Sequence, residues 1–204
     1  MTEAGGGFDR LDRIGVTVGP GLRSVSNRRV YAVGDAAGGM QFTHLAAYHA
    51  GVVIRQIVLG LPARLRGDHI PRVTYTDPEL AQVGPTEAEA CKTYGTALTV
   101  LRADYAGNDR AIAERKAKGL VKVMVAKGRP VGVSIAGPQA GELIGFWALA
   151  IATGVKLGTL AGLVLPYPTL GETAKRASGA YFSAKLFDNP TLKRVVRLVQ
   201  RFVP

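Results

Sequence analysis

Two short stretches of this 204-residue chain carry side chains whose types and spacing suit chemistry. In "RRVYAVGDAAGG", Arg28 to Gly39, the apolar run Val30 to Val33 stops at Gly34 and Asp35, with Gly38 and Gly39 just beyond. An ionised carboxylate there accepts strong hydrogen bonds from ligand hydroxyls, and a glycine before it lets the backbone approach the ligand. Gln41, Phe42, Thr43 and His44 follow where a helical pattern begins, and the amides of a helix N-terminus favour negative charge. Taken alone, the same residues also fit a Gly-Asp turn followed by Thr43 as an N-cap. The second stretch, "LPYPTLGETAKRA", places a phenol, Tyr167, five residues before a carboxylate, Glu172. Thr169-Leu-Gly-Glu172 also has the spacing of a capping box, in which the glutamate needs no catalytic role.

The elements that must position these groups are legible in the pattern. Val30 to Val33 reads as a short strand delivering Asp35 to the mouth of a sheet, where open α/β folds hold ligands. The stretch "FTHLAAYHAGVVIRQIVLG" places Leu45, Ala46, Val52, Val53, Ile57 and Leu59 at helical spacing, and Gly60, Leu61 and Pro62 end it. A basic, proline-containing connector, Leu61 to Ile70, leads to a second region with "RVTYT", "ALTVLRA" and "GLVKVMVAKGRPVGVSIAG". There Val121, Val123 and Val125 alternate with Lys122 and Met124, and Val131, Val133 and Ile135 follow Lys127-Gly128-Arg129, which predicts a β-hairpin with one core face. After it, Leu143, Ile144, Trp147, Ala148 and Ile151 form a helix with no charge beyond Glu142, one that is buried or meets a partner.

Composition narrows the classes. At 47% hydrophobic content the chain is globular, and the small, acidic Met1 to Gly7 is not a signal sequence. No apolar run is long enough for a membrane span, so a cytoplasmic location is expected. The net charge of +11 is spread over Arg23 to Arg29, Arg64 to Arg72, Arg110 to Lys127 and Lys193 to Arg201. It lacks aromatic interleaving or helix-turn-helix spacing, so no nucleic acid is expected; an anionic cofactor or a basic proteome accounts for the charge. His44, His49 and His69 have no metal-site spacing and read as surface or capping residues, save the ligand-side position of His44. The single cysteine, Cys91, reads as a helix packing residue and excludes a CxxC or CxxxxC redox pair within the chain. From Leu192 to Val203 apolar residues alternate with Lys193, Arg194, Arg197 and Arg201 as an amphipathic basic helix, suited to packing on its own domain or to an anionic membrane.

"TDPELAQVGPTEAEA" from Thr76, "GLVKVMV" from Gly119, "IAGPQAGELIGFWALAIATG" from Ile135 and "YPTLGE" from Tyr167 resemble the dimerisation domain of the FAD-dependent pyridine nucleotide-disulfide oxidoreductases. "VYAVGDAAGG" resembles the last flavin-contacting segment of the same family, so the resemblance runs from about Phe8 to Ser178. It implies an α+β fold: the C-terminal remnant of a doubly wound FAD-binding domain (1–68), an α+β dimerisation domain with an antiparallel sheet and flanking helices (69–178), and an amphipathic helical extension (179–204). It also implies that Asp35 bonds the ribityl chain of FAD, and that Gly34, Gln41, Phe42, Thr43 and His44 approach the flavin. In such proteins a histidine, oriented by a glutamate five residues on, reaches across a homodimer to serve a cysteine pair. Tyr167 stands in the histidine's place here and Glu172 in the glutamate's. A phenol titrating near 10 is a poor base at neutral pH, so the nearer comparison is with mercuric-reductase-like rather than dihydrolipoamide-dehydrogenase-like members. The chain has no terminal cysteine pair of the kind mercuric reductases carry.

A flavin enzyme of this class also needs a Gly-x-Gly-x-x-Gly unit for the FAD pyrophosphate, a second for NAD(P)H and a redox cysteine pair. "GGGFDRLD" from Gly5 is no substitute, because no strand precedes it. The chain therefore reads as the C-terminal portion of a longer reductase that moves hydride from NAD(P)H through FAD and a disulfide to a small-molecule, thiol or metal substrate. The other reading is a non-catalytic dimerisation module kept without its redox half.

Overall fold

A computed structural model describes residues 15–187 and 189–202. The Met1 to Gly7 and "GGGFDRLD" readings lie outside these residues. The chain divides into two compact units, 1–66 and 67–204.

In the first unit the expected strand over Val30 to Val33 does not form. Tyr31 makes an isolated antiparallel bridge with Arg23, and Ser24 and Ala32 donate backbone bonds to Val30 and Leu22. A strand exists through its ladder, and among the described residues the 22–24 segment is what pairs with 30–32; Val30 and Val33 are exposed. Gly34–Ala37 forms a 3₁₀ turn, and helix α1 follows at Thr43–Ile57. Leu45, His49 and Val52, at i, i+4 and i+7, are the buried residues of α1. Gly34 has a positive φ, and a Cβ there would stand 3.0 Å from the Ala46 side chain, so the turn packs on α1 only as glycine.

The second unit is built on a five-stranded antiparallel sheet of β1 (Pro71–Thr74), β2 (Leu80–Val83), β3 (Leu98–Asp104), β4 (Leu120–Ala126) and β5 (Arg129–Ala136), in the order β1-β2-β5-β4-β3. The hairpin forms as the sequence predicts: Val121 pairs with Ile135 and Val123 with Val133 around a turn with positive φ at Lys127 and Gly128. Helices α4 (Ala140–Thr153) and α6 (Glu172–Phe187) pack on the sheet, and α5 (Leu157–Ala161) packs on α6. Val83, Val121, Val123, Val133 and Ile135 meet Ile144, Trp147, Leu157 and Ala177 in one core. Helix α2 (Glu87–Tyr94) lies on the opposite face, where its Glu87 binds the outward-pointing Lys122 and Arg102.

Met124, read as outward-facing, is fully buried. The register shifts by a bulge between Met124 and Val125, and α2 contacts β4. Gly132 leaves room for the Met124 terminus and for the Pro85 carbonyl, with which a Cβ would clash. Cys91 is a second correction, being exposed on α2. Ala90 is the residue α2 buries, and one step along a helix turns Cys91 away from it.

The amphipathic segment near the C-terminus forms α7, Pro190–Val199, with the Asn189 side chain accepting from the Thr191 and Leu192 amides as its N-cap. No residue of α7 is buried. Its packing on its own domain is limited: α7 contacts α6 and Leu192 is half-buried, while the rest of its apolar face is exposed. Among the described residues no helix is long and apolar enough to cross a membrane.

Candidate functional site

The glycine turn of the first unit is held by a histidine. The Gly34 amide donates to Nδ1 of His49, 3.1 Å away, and His49 is 3% exposed. Accepting from an amide requires the neutral ring, and burial lowers its pKa. His49 is thus neither a surface nor a capping residue; its place beside Leu45 and Val52 on the apolar stripe was the signal for burial. Asp35, next in the chain, is exposed and its carboxylate has no hydrogen bond or ion pair among the described residues. The turn closes through the Gly38 amide onto the Asp35 carbonyl, and Gly38 and Gly39, both at positive φ, border open space.

Residues 38–41 then lead into α1. Its N-cap is Phe42, which gives no side-chain cap, so Thr43 is the first helical residue rather than the cap. Phe42 and His44 stack, ring centroids 5.2 Å apart and 20° from parallel. Gln41, Thr43 and His44 are exposed and Phe42 is half-buried. An unpaired carboxylate, an open glycine backbone and a helix N-terminus without a side-chain cap suit a ligand offering hydroxyl donors and a polar acceptor edge.

The second unit builds a separate site around Tyr167, whose side chain is exposed. Its hydroxyl donates to Oδ2 of Asp109 at 2.7 Å. Asp109 begins α3 (Asp109–Ala113), and the buried Asn108 before it does two jobs. Its Oδ1 accepts from the Ala111 amide to cap α3, while its Nδ2 donates to the Thr169 carbonyl at 2.9 Å. Asn108 thereby ties the Asp109 helix to the Tyr167 loop. The hydrogen bond to Asp109, then that carboxylate's charge, slight burial and the Glu172 charge all push the Tyr167 phenol above its ordinary value. Tyr167 is therefore protonated at neutral pH, with its proton committed to Asp109 and its oxygen lone pairs polarised.

Glu172 stands at the start of α6, where it accepts a long, 3.5 Å bond from the Thr169 amide. The Thr169 hydroxyl donates instead to the Pro166 carbonyl, so half of the capping box is present. With Lys175, Arg176, Gly179 and Ser183, Glu172 lines a groove of about 560 Å³ along α6. Asp109 escapes sequence reasoning because it lies 58 residues from Tyr167, and only the fold brings the two together. Among the described residues no cluster of His, Cys, Asp and Glu could hold a metal ion.

Residues 70–178 match the pyridine nucleotide-disulphide oxidoreductase dimerisation domain. The chain is 35% identical over 177 residues to a dihydrolipoyl dehydrogenase of Bacillus subtilis, an alignment covering 82% of this chain and 38% of the relative. A leghemoglobin reductase of Vigna unguiculata is 35% identical over 181 residues, covering 84% of this chain and 34% of that protein. The chain thus spans well under half the length of these curated relatives. Among solved structures, LpdA from Mycobacterium tuberculosis superposes with a TM-score of 0.75 at 22% identity, covering 83% of this chain and 37% of that one. The HOCl-induced flavoprotein disulfide reductase RclA from Escherichia coli, as its Cu(II) complex, gives 0.72 at 24% identity over 81% and 38%. The five-stranded antiparallel sheet with its helices is the fold expected of that domain, and the chain belongs to the pyridine nucleotide-disulphide oxidoreductase family, whose dimerisation domain it carries.

Proposed function

We propose that the chain is the C-terminal portion of an FAD-dependent NAD(P)H oxidoreductase of the disulfide-reductase class. In this reading it supplies a homodimer interface, a flavin contact and the motif that completes the partner subunit's active site. The observation that carries it is the reach of the similarity. An alignment of 177 residues is longer than the second unit, 67–204, so it extends into the first unit, which holds Asp35. FAD would supply the hydride relay in the complete protein, and this chain's residues would bind and orient it. The Asp35 carboxylate would accept from ribityl hydroxyls, Gly34 would set the turn against α1 while the open backbone at Gly38 and Gly39 admits the ligand, and the α1 terminus from Gln41 to His44 would serve the polar edge of the ring. Tyr167, held by Asp109 and near Glu172, presents a protonated, polarised phenol to an electrophilic substrate. A histidine-type proton relay at that position is not available to it.

The reading is tested by titrating FAD into the chain by flavin fluorescence. A few hydrogen bonds at the ring end, without the pyrophosphate-binding unit, support binding only in the range of about micromolar to millimolar. Asp35→Ala should weaken it roughly tenfold, the worth of one charge-assisted bond. NADH or NADPH should drive no turnover with thiol, quinone or mercuric acceptors. FAD binding indifferent to Asp35, or steady turnover by the chain alone, would overturn the proposal.

A further inference from the structure

Helix α7 presents an apolar face that this chain leaves uncovered. Leu192 is half-buried, but Val195, Val196, Leu198, Val199 and Phe202 in the turn after the helix are exposed, Phe202 at 79%. At 100° per residue these six side chains share an arc of about 160°. Lys193, Arg194, Arg197 and Arg201 occupy the opposite side, and no acidic residue occurs from Pro190 to Pro204. A helix of ten residues is marginal in water unless its apolar face is covered.

Charge decides among the possible covers. Two copies of α7 laid face to face would bring cationic flanks together with no carboxylate on either helix to compensate, so self-pairing is disfavoured. An anionic bilayer surface satisfies both halves: aliphatic side chains and Phe202 enter the acyl boundary while lysine and arginine stems reach up to phosphate groups. Each basic residue of the cationic side adds attraction to such a surface, and the chain's net charge of +11 acts in the same direction.

We propose that α7 is an interfacial helix that docks this protein, without spanning, on anionic lipid membranes. The test is flotation of the full chain with vesicles of phosphatidylcholine alone and of phosphatidylcholine mixed with phosphatidylglycerol. The protein should float with the anionic vesicles, much less with the neutral ones, and high salt should weaken the association. Val195→Asp with Val199→Asp should lower partitioning by roughly a hundredfold, because two buried aliphatic groups become charged. Arg194→Glu with Arg197→Glu should remove the preference for anionic lipid. Circular dichroism and light scattering should show the fold and oligomeric state of both variants unaltered, since α7 buries no residue. Absence of flotation, flotation indifferent to the aspartates, or a change of oligomeric state in the aspartate variant would each overturn the proposal, the last by assigning the face to another copy.

Discussion

The Tyr167 hydroxyl and the Asp109 carboxylate, 58 residues apart in sequence, are joined by a 2.7 Å hydrogen bond. That bond fixes the direction of an exposed side chain and is the first cause of its raised pKa. Asp109→Ala should let the phenol fall back toward its ordinary value near 10. The carbon-13 resonance of the tyrosine Cζ, assigned by its loss in Tyr167→Phe, reports the titration directly. An unaltered curve in Asp109→Ala would show that the bond does not hold the phenol. In a complete protein, Tyr167→Phe should lower turnover by one or more orders of magnitude while flavin reduction by NAD(P)H is unchanged, because the proposed role of the phenol is on substrate, after the flavin step.

The bond from the Gly34 amide to His49 makes the first unit sensitive to acid. Burial lowers the folded-state pKa of His49, so between the folded and unfolded values the unfolded chain binds more protons. The stabilisation is complete above about 6.5, the unfolded value, and is lost as pH falls toward the lower folded value. Thermal unfolding followed from pH 8 to pH 5 should show this loss. His49→Leu should flatten the dependence and destabilise by about 1–3 kcal/mol at pH 8, since the Gly34 amide loses its acceptor. A variant with the same acid dependence would assign the effect elsewhere.

Gly119 is a packing requirement. A Cβ there would stand 2.8 Å from both the Ala136 carbonyl oxygen and the ring of the fully buried Tyr105. Tyr105 cannot retreat, because its ring is fully buried and its hydroxyl donates to the Pro138 carbonyl. Gly119→Ala should lower stability by about 1–3 kcal/mol. Urea unfolding measures it, and an unshifted midpoint would show that the strand end yields freely.

The helix from Glu142 to Ile151 reads in sequence as buried or partnered, and α4 is buried on one side only. Ile144, Trp147, Ala150 and Ile151 enter the core while Leu149 is 64% exposed. If the second unit pairs with a copy of itself through this side, Leu149→Asp should raise the dimer dissociation constant at least tenfold, roughly the cost of charging one interface position. Light scattering over a concentration series is the measurement, and an unchanged dimer would move the interface to other exposed residues.

The hairpin was legible because its period-two valines and its Lys-Gly turn are local signals that agree with each other. Helix α1 was legible for the same reason, its apolar spacing and its Gly-Leu-Pro stop lying within one stretch. Met124 was not, since α2 contacts its strand and its alternation is broken by a bulge. The strand expected at Val30 to Val33 needed ladder partners, which residues of the run itself do not supply. At the sites, Asp35, Tyr167 and Glu172 stood out by type and neighbours, whereas the Asp109 bond to Tyr167 and the Asn108 bond to Thr169 are tertiary contacts, and only the Asn108 cap on α3 is local. His49 carried a trace in its spacing with Leu45 and Val52, but the acceptor role of its ring depends on Gly34, 15 residues away.

Cys91 is exposed on α2 and is the sole thiol in the sequence. For spectroscopy, this 204-residue chain is therefore a ready single-label system. A nitroxide attached to Cys91 would sit once per subunit, on a helix anchored by the buried Ala90 and by the reciprocal Thr86–Glu89 capping box. In a symmetric pair it would yield one distance, which ranks alternative docking geometries without any engineered cysteine.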